Sequence, residues 1–411
     1  MNLHTHRVNI FNTLLYYLAL IFNIFLGWII TRLNTDYLEV NAYGQFAFFV
    51  TLILFAKSLF GLGVFESTSR LLALSKNRNE RKNILGTSLL WALIFAFFAT
   101  FALFLSSELI GDIFKVKIGA LCQRFSYGLG LYVLLSHLSL SLRGSGQIKI
   151  LSFMAISPRI FYLILLIIII LEGEFNLSST LEMMFWGLII SLAMIWLMLK
   201  PIFSAVRETS HKLWNEVKSY GRHIYISTIW SELLIHTDKF LISFFLDSKA
   251  MAYYGLAFAL AFPLSHFSTS LSTSLFQRFA NEQRINPKVI MGNQIFVTIT
   301  VVLFIILREP IILYLFSEQY MPTIDLLMPL ALAFGFSGLS KPYTLYLMAQ
   351  KQGKIVRNIS ILIPTLQTLI SIIIIPIYGV LGVAWVASFI YLLDFLLYLI
   401  FYYRVIRLIQ I

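Results

Sequence analysis

The sequence predicts an all-α polytopic membrane protein of about 12 transmembrane helices, in two six-helix halves around a central cavity. Three observations predict it. Apolar runs near 20 residues long recur along all 411 residues, and each is long enough to cross a hydrocarbon core. Hydrophobic residues make up 59% of the chain and charged residues 12%, which sets it apart from soluble globular proteins. Landmarks of the first half also return in the second, about 200 to 210 residues later. They are Tyr43-Gly44 and Tyr254-Gly255, Glu108 and Glu309, and Pro158 and Pro364, the two prolines each preceding an isoleucine run.

The predicted spans are 10–30, 43–65, 84–105, 119–142, 150–171, 181–200, 223–246, 251–272, 289–307, 323–347, 355–376 and 380–403. The first, from Ile10 to Ile30, is too long for a signal-peptide core and lacks a small-residue cleavage pattern, so it reads as an uncleaved span. The longest connection on the side of the termini, 200–222, divides an N-terminal bundle (1–200) from a C-terminal bundle (223–411), with 201–222 as linker. An even number of spans per half gives parallel repeats, which place a substrate site between the halves and alternate access by rocking.

Between these spans the basic residues are unevenly shared. The side that carries both termini holds 21 Lys and Arg, and the opposite side holds Arg32, Lys115, Lys117, Lys249 and Arg308. The positive-inside rule makes the termini cytoplasmic. The net charge of +12 is thereby a topology signal, and nucleic acid is not needed to explain it. No loop holds a soluble catalytic domain. Cys122 is the single cysteine, which excludes an internal disulfide or a cysteine-based metal site. Gly61-Leu62-Gly63 and Gly144-Ser145-Gly146 lack the strand context of a phosphate loop and read as tight turns at helix ends. No histidine spacing fits a metal site, and no nucleophile–base pair emerges, so an enzyme is not expected.

The functional signal is polar residues inside spans. In the seventh span, Tyr225, Thr228, Glu232, His236, Lys239 and Ser243 fall within an arc of about 80° at 100° per residue. An ionisable group at the bilayer centre costs about 2.5 to 3.5 kcal/mol on insertion scales, so such a stripe faces a bundle interior or a wet cavity. Interhelical bonding explains any one of these residues; six in line favour a cavity lining. Asp238 lies about 120° off the stripe, toward a neighbouring helix. Span one has a counterpart stripe of Asn9, Asn12, Tyr16, Asn23 and Gly27. The remaining interior cations are Lys57, Arg124, Arg159, Lys239 and Lys341, against the acids Glu232, Asp238 and Asp394. An excess of cations favours an anionic cargo, for which Arg and Lys are natural phosphate partners. Arg124, near a helix end, reads as snorkelling. Arg159, Lys239, Lys57, Lys341, Asn23, Tyr16 and His236 are the candidate cavity residues.

Several motifs then carry a resemblance. The run from Ile375 through Pro376, Tyr378-Gly379 and Gly382 to Ala384 resembles the signature before the last helix of polysaccharide flippases of the multidrug/oligosaccharidyl-lipid/polysaccharide exporter superfamily. Tyr43-Gly44 with Phe60-Gly61-Leu62-Gly63, Asp238-Lys239 with Tyr254-Gly255, Leu275 to Arg278, and Glu309-Pro310 with Phe316 to Tyr320 are similar to other family segments, in order. Val383 and Ser317 depart from the usual alanine and glycine. The resemblance implies a flippase that moves a polyprenyl-pyrophosphate-linked oligosaccharide from the cytoplasmic to the outer leaflet of a bacterial inner membrane. It implies a polysaccharide polymerase and chain-length proteins as partners, and no cofactor beyond a proton or sodium gradient, with Glu232 and Asp238 as coupling candidates. The alternatives are a cation-coupled drug antiporter of the same superfamily, expected to have a net acidic cavity, and a membrane-embedded glycan polymerase or ligase, expected to carry a large outer loop. A peptidoglycan-precursor flippase resembles thirteen or fourteen spans instead of twelve.

Overall fold

A computed structural model describes residues 3–75, 77–350 and 352–409; the side chains of residues 3–14, 17, 223, 227, 277, 408 and 409 lie outside the described set. The stripe positions Asn9 and Asn12, and Arg7, Lys76 and Lys351 of the basic tally, are therefore outside it. The described residues are helical with no strand, as a chain in lipid requires when every backbone group must bond internally.

In chain order the helices are α1 (Leu3–Tyr37), α2 (Val40–Leu59), α3 (Val64–Leu74), α4 (Arg78–Leu105), α5 (Ser107–Ile113), α6 (Gly119–Arg124), α7 (Tyr127–Gly144), α8 (Ile148–Glu172) and α9 (Leu177–Leu199). They continue as α10 (Val206–Glu216), α11 (Arg222–Phe245), α12 (Ser248–Ala261), α13 (His266–Ser274), α14 (Phe276–Asn281), α15 (Pro287–Leu315), α16 (Thr323–Ala349) and α17 (Gly353–Ile409). Among the described residues, nine helical segments are long and apolar enough to cross a membrane. The last is two spans in one, because Gly379 breaks it at φ 58°. α7, with His137 and Arg143, and α11, with Glu232, His236, Asp238 and Lys239, are the polar spans that complete twelve.

Two segments differ from the sequence expectation. The second span does not run to residue 65: Leu62 and Gly63 turn at positive φ, and α3 departs as a separate helix. Gly63 is required there, since a Cβ would sit 2.9 Å from the backbone nitrogen of Arg222. The stretch 201–222, expected as linker, is helical from Val206 and closes with a π-helical turn, Val217–Gly221. Its polar composition reads as loop, but Thr209, Leu213 and Val217 are buried along one face.

The chain forms two compact units, Met1–Ile113 with Lys117–Glu232, and Leu233–Ile411 with Phe114–Val116. The first has several small apolar clusters, such as Leu138, Leu142, Leu151, Met154, Ile195 and Leu199. The second centres on Phe279, Tyr343, Tyr346, Ile363, Ile390 and Tyr402. Its short strap at 114–116 caps α11: Lys115 donates its backbone N–H to the Ser243 carbonyl at 2.9 Å and its ammonium to the Phe245 carbonyl at 2.6 Å. A cation at a helix C-terminus is favourable against the macrodipole.

Candidate functional site

In the second unit the charges of α11 are buried. Asp238 and Lys239 are each 6% exposed. Tyr254 of α12 donates its hydroxyl to one Asp238 oxygen at 2.6 Å, and Gln367 of α17 donates its amide to the other at 2.7 Å. Three helices thus converge on one carboxylate. Tyr391 adds a further hydroxyl within electrostatic reach. A buried carboxylate is tolerable only when it is hydrogen-bonded in this way. Lys239 follows Asp238 on the same helix: its ammonium lies 3.2 Å from the centre of the Phe258 ring, with a weak 3.5 Å contact to the Ile235 carbonyl. The ring face supplies negative potential in place of water. His236, two residues before Asp238 and one turn before Lys239, is buried as well. Elsewhere in this unit Lys341 of α16 and Asp394 of α17 attract each other, and Ser340, beside Lys341, donates to the Ser337 carbonyl at 3.2 Å.

In the first unit, Arg159 of α8 reaches across to α1. It donates to the backbone carbonyl of Asn23, with its guanidinium against Gly27. A Cβ at Gly27 would stand 2.7 Å from the guanidinium nitrogen, the far end of a side chain that can shift to accommodate it. The Asn23 side-chain oxygen is buried and has no hydrogen-bond partner among the described residues. Tyr132 of α7 lies within electrostatic reach of Arg159. Lys57 of α2 and Glu232 of α11 attract each other in the same unit.

The candidate residues therefore fall into separate environments. Asn23 and Arg159 come together, as do Lys57 and Glu232, and as do Asp238 and Lys239 with residues of α12 and α17. Tyr16 is half-buried and packs against the Leu138–Leu199 cluster. The α11 stripe is not uniform. Tyr225 bonds the Leu59 carbonyl at 2.7 Å, whereas His236, Lys239 and Ser243 are buried. Arg124 is exposed and pairs with Glu182 at 3.7 Å. Sequence reasoning missed Gln367, Tyr391 and Phe258. A lone amide in an isoleucine-rich span was the available signal for Gln367; nothing distinguishes Phe258 among 37 phenylalanines. It also passed over His137, whose ring nitrogen lies 2.9 Å from the Ser88 hydroxyl in a fully buried site between α4 and α7. Among the described residues no three His, Cys, Asp or Glu side chains are grouped to hold a metal ion.

Twelve spans in two units, with charges held inside several of them, define a polytopic membrane protein of the flippase and multidrug-exporter fold. The inward-closed lipid II flippase MurJ superposes with a TM-score of 0.75 at 19% identity, over 94% of this chain and 87% of that one. An inward-facing MATE family multidrug transporter gives 0.77 at 13% identity over 97% and 95%, and a mutant of the Vibrio cholerae MATE transporter VcmN gives 0.67 at 14% over 97% and 95%. No curated protein matches the chain by sequence. The family described as "Polysaccharide biosynthesis protein" matches residues 29–325, and the chain belongs to that family.

Proposed function

We propose that this protein is a flippase that carries a polyprenyl-pyrophosphate-linked oligosaccharide from the cytoplasmic to the outer leaflet of a bacterial inner membrane, for surface polysaccharide synthesis. The observation that carries the reading is the family match over residues 29–325. The physics of the cargo agrees with it. A glycan head leaves its hydroxyls unsatisfied in hydrocarbon, and a protein path lined by polar groups removes that barrier. Arg159, Lys57, Lys239 and Lys341 give membrane-embedded positive charge suited to a pyrophosphate. Both termini are cytoplasmic in this reading, and an inside-negative potential favours export of the anion by about 2.3 kcal/mol per charge per 100 mV.

Asp238 is the proposed coupling group for a proton or sodium gradient, with Glu232 as the second. The Asp238 carboxylate is dry and held by two donors, the Tyr254 hydroxyl and the Gln367 amide. A helix movement that withdraws Tyr254 or Gln367 leaves it to take up a proton or a metal cation. A polymerase and chain-length proteins that consume the lipid-linked unit at the outer leaflet are the proposed partners. A drug antiporter has a similar fold in its favour, but the interior cations disfavour cationic cargo. The reading is tested by deleting the gene in its host. Surface polysaccharide should vanish while its lipid-linked repeat unit accumulates in the cytoplasmic leaflet, both reversed by the wild-type copy. Unaltered surface polysaccharide would overturn it.

A further inference from the structure

The helix α10 lies between the sixth and seventh spans, on the side of the Lys and Arg excess, and it docks on α4. Ile202 donates its N–H to the Lys82 carbonyl at 3.2 Å, and Ser204 donates to Asn83 at 2.9 Å. The chain passes so close to Gly86 that a Cβ there would strike the Ile202 backbone. Trp91 of α4 donates its indole N–H to Ser210 at 3.2 Å and stacks on Trp214, ring centres 6.3 Å apart.

The depth of this contact follows from helix geometry. Counted back from Leu105 at about 1.5 Å per residue, a hydrocarbon core about 30 Å thick begins near residue 86. Trp91 then sits about 7 Å inside it, the depth of a helix lying in the interface plane. The exposed apolar residues of α4 begin at Leu93 and end at Leu105. The cytoplasmic end of its lipid-facing side is taken over by α10. On α10 Trp214 is 46% exposed, with the Lys218 ammonium 5.6 Å from its ring centre. Trp91, Ser210, His211 and Trp214 line an open groove of about 940 Å³, together with the charged Arg207, Glu208 and Lys212.

The charges of this groove are not cancelled. Glu208 is tied to Lys212 at 2.8 Å, and Glu216 to Arg70. The Lys212 ammonium holds the Glu208 carboxyl below its usual range. Arg207 makes no ion pair among the described residues. Asn215 donates to His211 Nδ1 at 3.3 Å, which leaves the proton of the neutral ring on the exposed Nε2. A guanidinium and an imidazole N–H thus flank two tryptophan faces that reach from the headgroup boundary into the acyl region. Indole rings belong at this level, and basic residues beside them attract anionic headgroups.

We propose that the α4–α10 groove binds an anionic phospholipid of the leaflet it faces, its phosphate on Arg207 and His211 and its acyl chain along Trp91 and Trp214. The occupant is a lipid because the groove opens at the level where acyl chains meet headgroups. It is an anionic one because the uncompensated charge is positive.

The test is native mass spectrometry of the full chain in detergent, titrated with phosphatidylglycerol or with phosphatidylcholine of the same acyl chains. Phosphatidylglycerol should be retained about tenfold better. Arg207→Ala should cut that retention about fivefold, the effect of one basic residue at an anionic surface, while Arg207→Lys keeps most of it. Arg207 is exposed, so the variants keep the thermal unfolding of the lipid-free protein, and Arg404→Ala, which is not among the residues lining the groove, serves as control. Equal retention of the two lipids, retention unchanged in Arg207→Ala, or a dimer lost in Trp214→Ala would each overturn the proposal.

Discussion

Tyr254 and Asp238, sixteen residues apart in sequence and both buried, are joined by a 2.6 Å hydrogen bond from the tyrosine hydroxyl to the carboxylate. With Gln367 on the second oxygen, this bond ties α12 and α17 to the middle of α11. A hydrogen bond to a charged group contributes about 1.5 to 3 kcal/mol. Tyr254→Phe should therefore lower the Tm of the purified protein measurably without preventing insertion, and Gln367→Leu should do the same. Thermal unfolding in detergent measures both.

Asp238→Asn separates coupling from architecture. The amide keeps the volume and can still accept from Tyr254. If Asp238 couples transport, the variant should fold and insert, and flipping in proteoliposomes should lose its response to an imposed proton or sodium gradient. A normal gradient response in stable Asp238→Asn protein would assign this carboxylate a structural role alone.

The contact of Arg159 with α1 is tested from the other helix. A Cβ at Gly27 meets only the flexible end of Arg159, so Gly27→Ala should be tolerated. Gly27→Leu should drive the guanidinium off the Asn23 carbonyl and cause the same loss of surface glycan that Arg159→Ala is expected to cause, with every charge retained. Membrane abundance and surface glycan are the two readouts. Normal glycan in both Gly27→Leu and Arg159→Ala would remove Arg159 from the path.

Lys341 and Asp394 attract each other across α16 and α17. Both are half-buried, so removing one partner leaves the other partly solvated, at a cost below the roughly 3 to 5 kcal/mol of a fully buried pair. Lys341→Met should lower the Tm, and Lys341→Met with Asp394→Leu should recover most of it. Recovery of stability without recovery of transport would show that the lysine also serves the cargo.

Much of this was legible in the sequence because lipid imposes simple rules. Span length is a local property, and the helical membrane fold follows from it. The charges at Glu232, Asp238 and Lys239 stood out because an apolar run makes any ionisable residue conspicuous. Their partners did not. Gln367 is 129 positions from Asp238, and only the packing of α17 against α11 brings them together. The phase of a helix locates Asp238 off the stripe, but it does not show that His236 and Lys239, on the stripe, are buried as well. Helix α10 was hidden for the opposite reason: its composition is polar, and it folds because Leu213 and Val217 find cover and Trp214 stacks on Trp91.

Orientation has its own measurement. Reporter fusions at Arg81 and Asn215 should read cytoplasmic and a fusion at Asn176 external. An external reading at Arg81 would invert the layout drawn from the basic loops.

The central claim is tested most directly by reconstitution. Purified protein in liposomes that hold a polyprenyl-pyrophosphate-linked oligosaccharide on one leaflet should expose its glycan to a membrane-impermeant glycosidase on the other. That exposure should exceed empty liposomes and fall sharply in Arg159→Ala. Glycan that stays protected with folded wild-type protein, at the level of empty liposomes, would contradict the account.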